Sequence, residues 1–274
     1  MSEFRVACLQ TCTGTTPKDN LTALTSLIKE AAQEGAEFIL TPETCNFMPQ
    51  NKKARCSTMQ SENDDKTVAS FAALAAELKI TLLAGSFILT GDGDKAVNRS
   101  ICFNPLGDVV ARYDKIHLFD VELDNGERHS ESAHYEAGQE AVIADLSFGK
   151  LGMTVCYDVR FPALFRSLAM HGADFISVPA AFTKMTGEAH WHVLLRARAI
   201  ETGCFIFAPA QSGTHENGRK TYGHSIIVSP WGRVLADAGL ETQIIYADID
   251  TDQVQMARRQ IPALEHGRHF EPPV

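Results

Sequence analysis

Residues 35–44 read GAEFILTPET, and residues 172–181 read GADFISVPAA. In each, a glycine precedes a short apolar run rich in Phe and Ile, and a proline closes the run. Such a run, bounded by turn residues, is the pattern of a strand buried on both faces. A second pair follows in the same order within each half of the chain: SICFNPLGDVVA at 100–111 and SIIVSPWGRVLA at 225–236. Each member of that pair is a strand, a Pro-x-Gly turn and a returning strand. Chance likeness between short α/β segments is the competing explanation. A diverged internal repeat instead predicts two similar half-sheets. Packed face to face with helices outside, they form a four-layer αββα sandwich.

The rest of the chain fits an α/β fold. Strands are predicted at 4–10, 38–41, 81–87, 100–104, 151–156, 175–179, 204–210, 224–229 and 244–249. Helices are predicted at 20–34, 65–78, 163–171 and 189–202. In the first helix Leu21, Leu24, Leu27, Ile28 and Ala31 share one face, and Gly35 follows as a stop. GDGD at 91–94 reads as a hairpin turn. No Ser/Gly linker or low-complexity tract divides the sequence, so one domain over 1–274 is expected.

Composition excludes several classes of function. With 25 Lys plus Arg against 34 Asp plus Glu, the net charge is −9. That disfavours sequence-independent nucleic-acid binding, which needs a positive surface. An apolar fraction of 45% excludes a disordered chain, and no apolar stretch is long enough to span a membrane. The N-terminal MSEFRVACLQT lacks the basic-then-apolar pattern of a secretory signal. The seven cysteines are odd in number and irregular in spacing. They are expected to be reduced thiols in a cytoplasmic protein.

One cysteine stands apart. In LGMTVCYDVRFP, residues 151–162, an apolar strand runs into Cys156 just before a helix. At such a junction a thiol leaves the core, and nearby backbone N–H groups favour the thiolate. A buried structural thiol is the ordinary alternative. Glu43 directly follows a strand and Pro42, at the strand end where α/β folds place their sites. Lys115, in RYDKIHLFD, lies between a strand and a loop. Taken singly, Glu43 and Lys115 fit an ordinary solvated surface equally well.

Together, P-E at 42–43, YDKIHLFD at 113–120 and GMTVCYDVRFP at 152–162 resemble the nitrilase (carbon–nitrogen hydrolase) superfamily. The resemblance runs from about residue 4 to about residue 270. It implies an αββα fold of two similar halves and a Glu–Lys–Cys triad, carried here onto Glu43, Lys115 and Cys156. A second glutamate of the family matches Glu131 in the loop DNGERHSESAHYEAG, with Glu122 the weaker alternative. The resemblance also implies a homodimer or higher homo-oligomer; a cofactor-free enzyme is expected, and the sequence holds no H-E-x-x-H or C-x-x-C, so no metal is expected. Chemically, Glu43 would take the thiol proton, and Lys115 with the Tyr157 backbone N–H would stabilise the oxyanion.

AFT at 181–183, TGEAHW at 186–191, LLRARAIE at 194–201 and GHS at 223–225 most resemble the branch that holds deaminated glutathione amidase and omega-amidase. That branch implies a small-molecule amide substrate bearing carboxylates. Arg160, four residues after Cys156, is the candidate carboxylate clamp; an ion pair with Asp158 or Glu43 is its alternative role. Thr183 and His190 are further substrate-binding candidates. Arg196 and Arg198 read as structural. The H-W-H at 190–192 makes a poor chelate, because residues two apart on a helix face different ways.

Overall fold

The computed structural model describes residues 3–123, 126, 128–271 and 273. Residues 124, 125 and 127 of the loop that carries Glu131 lie outside them, as do Met1 and Ser2 of the N-terminal stretch. Two sheets form the centre. The first runs in the order Gln243–Asp250, Glu3–Gln10, Phe38–Leu40, Thr81–Thr90, Ala96–Phe103, Val109–Asp114, with Tyr135–Glu136 added beside Ala96–Phe103. The second runs Val142–Leu146, Gly149–Met153, Phe175–Ser177, Phe205–Ala208, Ile226–Val228, Val234–Asp237.

The two orders are the same. In each sheet three neighbouring strands are parallel, and the next two return antiparallel. Each sheet also has one antiparallel strand on the far side of its first parallel one. Phe38–Leu40 and Phe175–Ser177 hold equivalent positions, and so do the strands of the second sequence pair. The internal repeat is therefore structural. The strand Gln243–Asp250 pairs along all eight residues of Glu3–Gln10, so the end of the second half closes the sheet of the first.

Alternation along the strands separates the layers. Phe38 and Leu40 point between the sheets with Val6, Cys8 and Leu83. Ile39 points outward with Ala7, Leu9, Leu82 and Ala84 against two helices, Pro17–Gln33 and Lys66–Leu78. Between the sheets phenylalanines from both sides meet, Phe4 on Phe175 at 5.5 Å and Phe38 on Phe207 at 6.0 Å between ring centroids. Helices Pro162–Met170 and Lys184–Thr202 cover the other outer face through Phe165, Leu168, Trp191, Leu195 and Ala199. Gly152 permits that contact, since a Cβ there would stand 3.0 Å from Leu168. The result is the expected four-layer αββα sandwich.

Helix ends follow local chemistry. Asp65 caps Lys66–Leu78 by accepting from the N–H groups of Thr67 and Val68. Pro17–Gln33 stops where Gly35 takes φ +87°, a left-handed conformation suited to glycine. GDGD lies in the hairpin between Thr81–Thr90 and Ala96–Phe103, as read. The main departures concern the site. The long helix starts at Lys184 rather than 189, and the strand before Cys156 ends at Met153. A short helix, Lys52–Thr58, and a strand, Val142–Leu146, were not anticipated.

Candidate active site

Cys156 opens one turn of 3₁₀ helix, Cys156–Arg160, and holds a left-handed backbone at φ +49°. A non-glycine residue there is strained, and such strain persists only where surrounding bonds enforce it. The Cys156 N–H donates to Pro179 O at 2.8 Å. The fully buried Asp158 carboxylate accepts from Val155 N–H at 2.8 Å, the Tyr113 hydroxyl at 2.7 Å and His117 N–H at 3.1 Å. It also lies 2.7 Å from His117 Nδ1. Asp158 thus ties the cysteine turn to the segment on both sides of Lys115.

Glu43 follows the strand Phe38–Leu40, and Lys115 follows the strand Val109–Asp114. Both side chains are almost fully buried and meet at Glu43 Oε1, where Lys115 Nζ donates at 2.9 Å. Asn98 Nδ2 donates to the same oxygen at 2.9 Å, and Ala181 N–H donates to Oε2 at 2.7 Å. Lys115 Nζ also reaches both oxygens of Glu131, at 3.0 and 2.8 Å. Phe119 N–H fixes Glu131 Oε2 at 2.7 Å. Cys156 lines the same cavity as Glu43, Lys115 and Glu131. Glu43, Lys115, Glu131 and Cys156 therefore come together from four separate segments. Glu122 does not join them; it pairs with Arg128.

Their electrostatics are mutually dependent. Burial alone would raise the Glu43 carboxyl, but the Lys115 and Arg219 charges hold it below the ordinary glutamate range. Burial alone would lower Lys115, but Glu131 and Glu43 outweigh it and hold the ammonium well above its ordinary value. Cys156 goes the other way from the sequence expectation. Burial and the adjacent Glu43 charge push its thiol up, and Lys115 offsets this only in part. The resting group is a thiol next to a carboxylate.

These groups open on a cavity of about 330 Å³. Tyr157 and Thr183, both expected, line it. Tyr157 is second in its 3₁₀ turn, where a backbone N–H has no partner inside the helix. Thr183 is buried and hydrogen-bonded to Thr186 at 2.7 Å. Arg160 and His190 stand outside the lining. Arg160 lies over the rings of Tyr157 and Phe182, with two of its nitrogens 3.3 Å from His190 Nδ1. Neither expected ion pair of Arg160 forms. Arg196 and Arg198 donate to the carbonyls of Gly232 and Val159, which is the structural role foreseen. His192 turns away from His190 toward Asp237 and His224.

Sequence reasoning missed two arginines that do line the cavity, Arg55 and Arg219. It also missed the positioning role of Asp158, although an acid two residues after Cys156 at a buried junction was a usable signal.

The family model for carbon-nitrogen hydrolases matches residues 5–259. The chain belongs to the carbon–nitrogen hydrolase family. As a member it is an enzyme, and the matched span contains all four of the clustered groups. A deaminated glutathione amidase from Synechocystis sp. is 41% identical to this hydrolase over 271 residues, covering 97% of this chain and 98% of the relative. The crystal structure of the C. elegans NitFhit protein superposes with a TM-score of 0.91 at 34% identity. It matches 98% of this hydrolase, which spans 66% of that longer chain. Saccharomyces cerevisiae Nit3, a member of branch 10 of the nitrilase superfamily, gives a TM-score of 0.85 at 30% identity, with 95% of each chain covered.

Proposed function

We propose that this enzyme cleaves the amide of deaminated glutathione, or of a related α-keto acid amide, through a thioester on Cys156. The observation that carries the reading is the Glu43–Lys115–Glu131 chain with Cys156 beside it, all facing one cavity. Cys156 Sγ attacks the amide carbonyl while Glu43 takes its proton, so no free thiolate need accumulate. The carbonyl oxygen becomes an oxyanion, met by Lys115 Nζ and Tyr157 N–H. Glu43 then hands its proton to the departing nitrogen, the C–N bond breaks, and the amine or ammonia leaves. Water, deprotonated by Glu43, cleaves the thioester and returns the carboxylate and the thiol. Glu131 holds Lys115 in place by occupying two of its three donors, and the third, given to Glu43 in the resting site, turns to the oxyanion once Glu43 has taken the thiol proton.

The direct test is amine or ammonia release from deaminated glutathione, α-ketoglutaramate, an N-carbamoyl amino acid, an aliphatic amide and a nitrile. Fastest turnover of either of the first two supports the reading. Preference for another member would leave the chemistry and replace the substrate. Silence across the panel would overturn both substrates and point to an amide outside it.

The charge arrangement also sets a pH profile. Glu43 acts only as carboxylate, and Lys115 and Arg219 hold its pKa down. Activity should be lost only as pH falls below ~4.3, the ordinary glutamate value. The stability this carboxylate contributes, present above its unfolded pKa, is lost over that same descent. Lys115 stays charged beyond its ordinary pKa, so it sets no alkaline limit near neutrality. A kcat/KM profile with an acid limb near 6 or 7 would contradict Glu43 as the base.

The same reading includes one domain, a cytoplasmic setting and a homodimer or higher homo-oligomer. Seven free cysteines support the reducing compartment. The exposed apolar side chains Val193, Ile200 and Trp231 support a subunit interface. Light scattering at micromolar protein should give at least twice the chain mass; a monomer would end that part of the reading.

A further inference from the structure

Arginines of this chain commonly pair with carboxylates through one edge of the guanidinium. Arg5 donates from Nε and Nη2 to the two oxygens of Asp248, at 2.8 and 3.0 Å. Arg99 does the same to Asp114, at 2.7 and 2.8 Å. Arg55 presents that same edge without such a bond. It is 3% exposed, it stands in the helix Lys52–Thr58, and its Nε and Nη2 are buried with no hydrogen-bond partner among the described residues. Its guanidinium lies 5.4 Å from the ring centre of Tyr135, another residue of the cavity wall.

Arg219 enters the same cavity from the other half of the chain. Its Nη2 donates to Ala181 O, and its Nε is buried without a hydrogen-bond partner among the described residues. Both line the cavity together with Tyr135, which places them toward a common region. Neither is hydrogen-bonded to a carboxylate among the described residues. Glu43 and Glu131 are engaged by Lys115. A buried guanidinium cannot shed its charge, so its desolvation goes uncompensated until an anion arrives.

We propose that Arg55 and Arg219 form the carboxylate-binding end of the cavity, with the Nε/Nη2 edge of Arg55 as the bidentate fork. The proposal rests on the amidase reading above and narrows it: the preferred substrates carry a free carboxylate besides the scissile amide. The clamp then belongs to Arg55 and Arg219, inside the cavity, rather than to Arg160 outside it.

The test compares the monoamide of glutaric acid with pentanamide, which lacks the carboxylate. The wild-type enzyme should favour the acid in kcat/KM by ~100-fold, and Arg55→Met should erase most of that ratio, chiefly through KM. Arg55→Lys keeps the charge without the fork and should leave a ratio ~10-fold below wild type. It also serves should the methionine variant fold poorly. Equal losses on both amides, or an unchanged ratio, would overturn the clamp. Glutarate binding by calorimetry provides a readout independent of turnover and should weaken at least ~10-fold in Arg55→Met. If neither amide is hydrolysed but glutarate binding behaves this way, the amidase reading fails and the clamp stands. If both amides are hydrolysed and glutarate binds both proteins alike, the reverse holds.

Discussion

Replacing Cys156 by alanine is expected to abolish amide turnover, by ~10⁵-fold or more in kcat, while the protein stays folded. The thiol supplies the bond-forming atom, and no neighbouring group can replace it. Glu43 and Lys115 are committed to one another in the buried chain, and Glu131 is fastened to Lys115 and Phe119 N–H. A water in place of sulfur, even with Glu43 as its base, would have to attack the amide itself rather than the more reactive thioester. Stability should change little. The turn is held by Asp158 and by the Cys156 N–H bond to Pro179, both independent of the side chain. Mass spectrometry supplies the complementary result. Acid-quenched wild type should carry the acyl half of the substrate on the peptide containing Cys156, and the alanine variant should carry none. Turnover by the variant above a few per cent of wild type would remove the thioester from the mechanism.

How much of this was legible beforehand depended on how locally each residue's environment is determined. Phe38–Leu40 and Phe175–Ser177 announce themselves because a strand buried on both faces must be apolar throughout. Two such strands in matching contexts are enough to suggest two matching sheets. Glu43, Lys115 and Cys156 were found by where they sit, at strand ends, and by motif. Their convergence depends on Phe4, Phe38, Phe175 and Phe207 packing the two sheets together, which no short segment reveals. Arg55 was invisible for a different reason. KKARCST has no apolar periodicity, and Arg55 is buried by the cavity wall around it rather than by its own helix. Arg160 and His190, expected to bind substrate, stand outside the lining and lie against each other. The thiol pKa was misjudged by weighing local backbone N–H groups without the buried Glu43 beside it.

Lys115→Met is expected to damage both stability and catalysis, and the two losses share one cause. The ammonium lies between two carboxylates and satisfies one oxygen of Glu43 and both of Glu131. Without it, the buried Glu43 and the partly buried Glu131 face each other as like charges, with Asn98, Ala181 N–H, Phe119 N–H and the Arg219 charge left to compensate. Removing one member of a buried ionic group in this way typically costs ~3–5 kcal/mol. The carboxylates will relieve the strain by taking up a proton, so Glu43 rises out of its depressed range and ceases to be a base near neutrality. Loss of the oxyanion donor adds a further ~10²–10³-fold in kcat. Adding Glu131→Gln to Lys115→Met distinguishes this cause from simple loss of packing. The double variant removes the second charge, so it should unfold at higher denaturant than Lys115→Met alone, although Glu131→Gln by itself destabilises. It should remain inactive, since the donor is still missing. Strictly additive destabilisation would mean that Lys115 contributes through its alkyl chain rather than by holding the two glutamates charged.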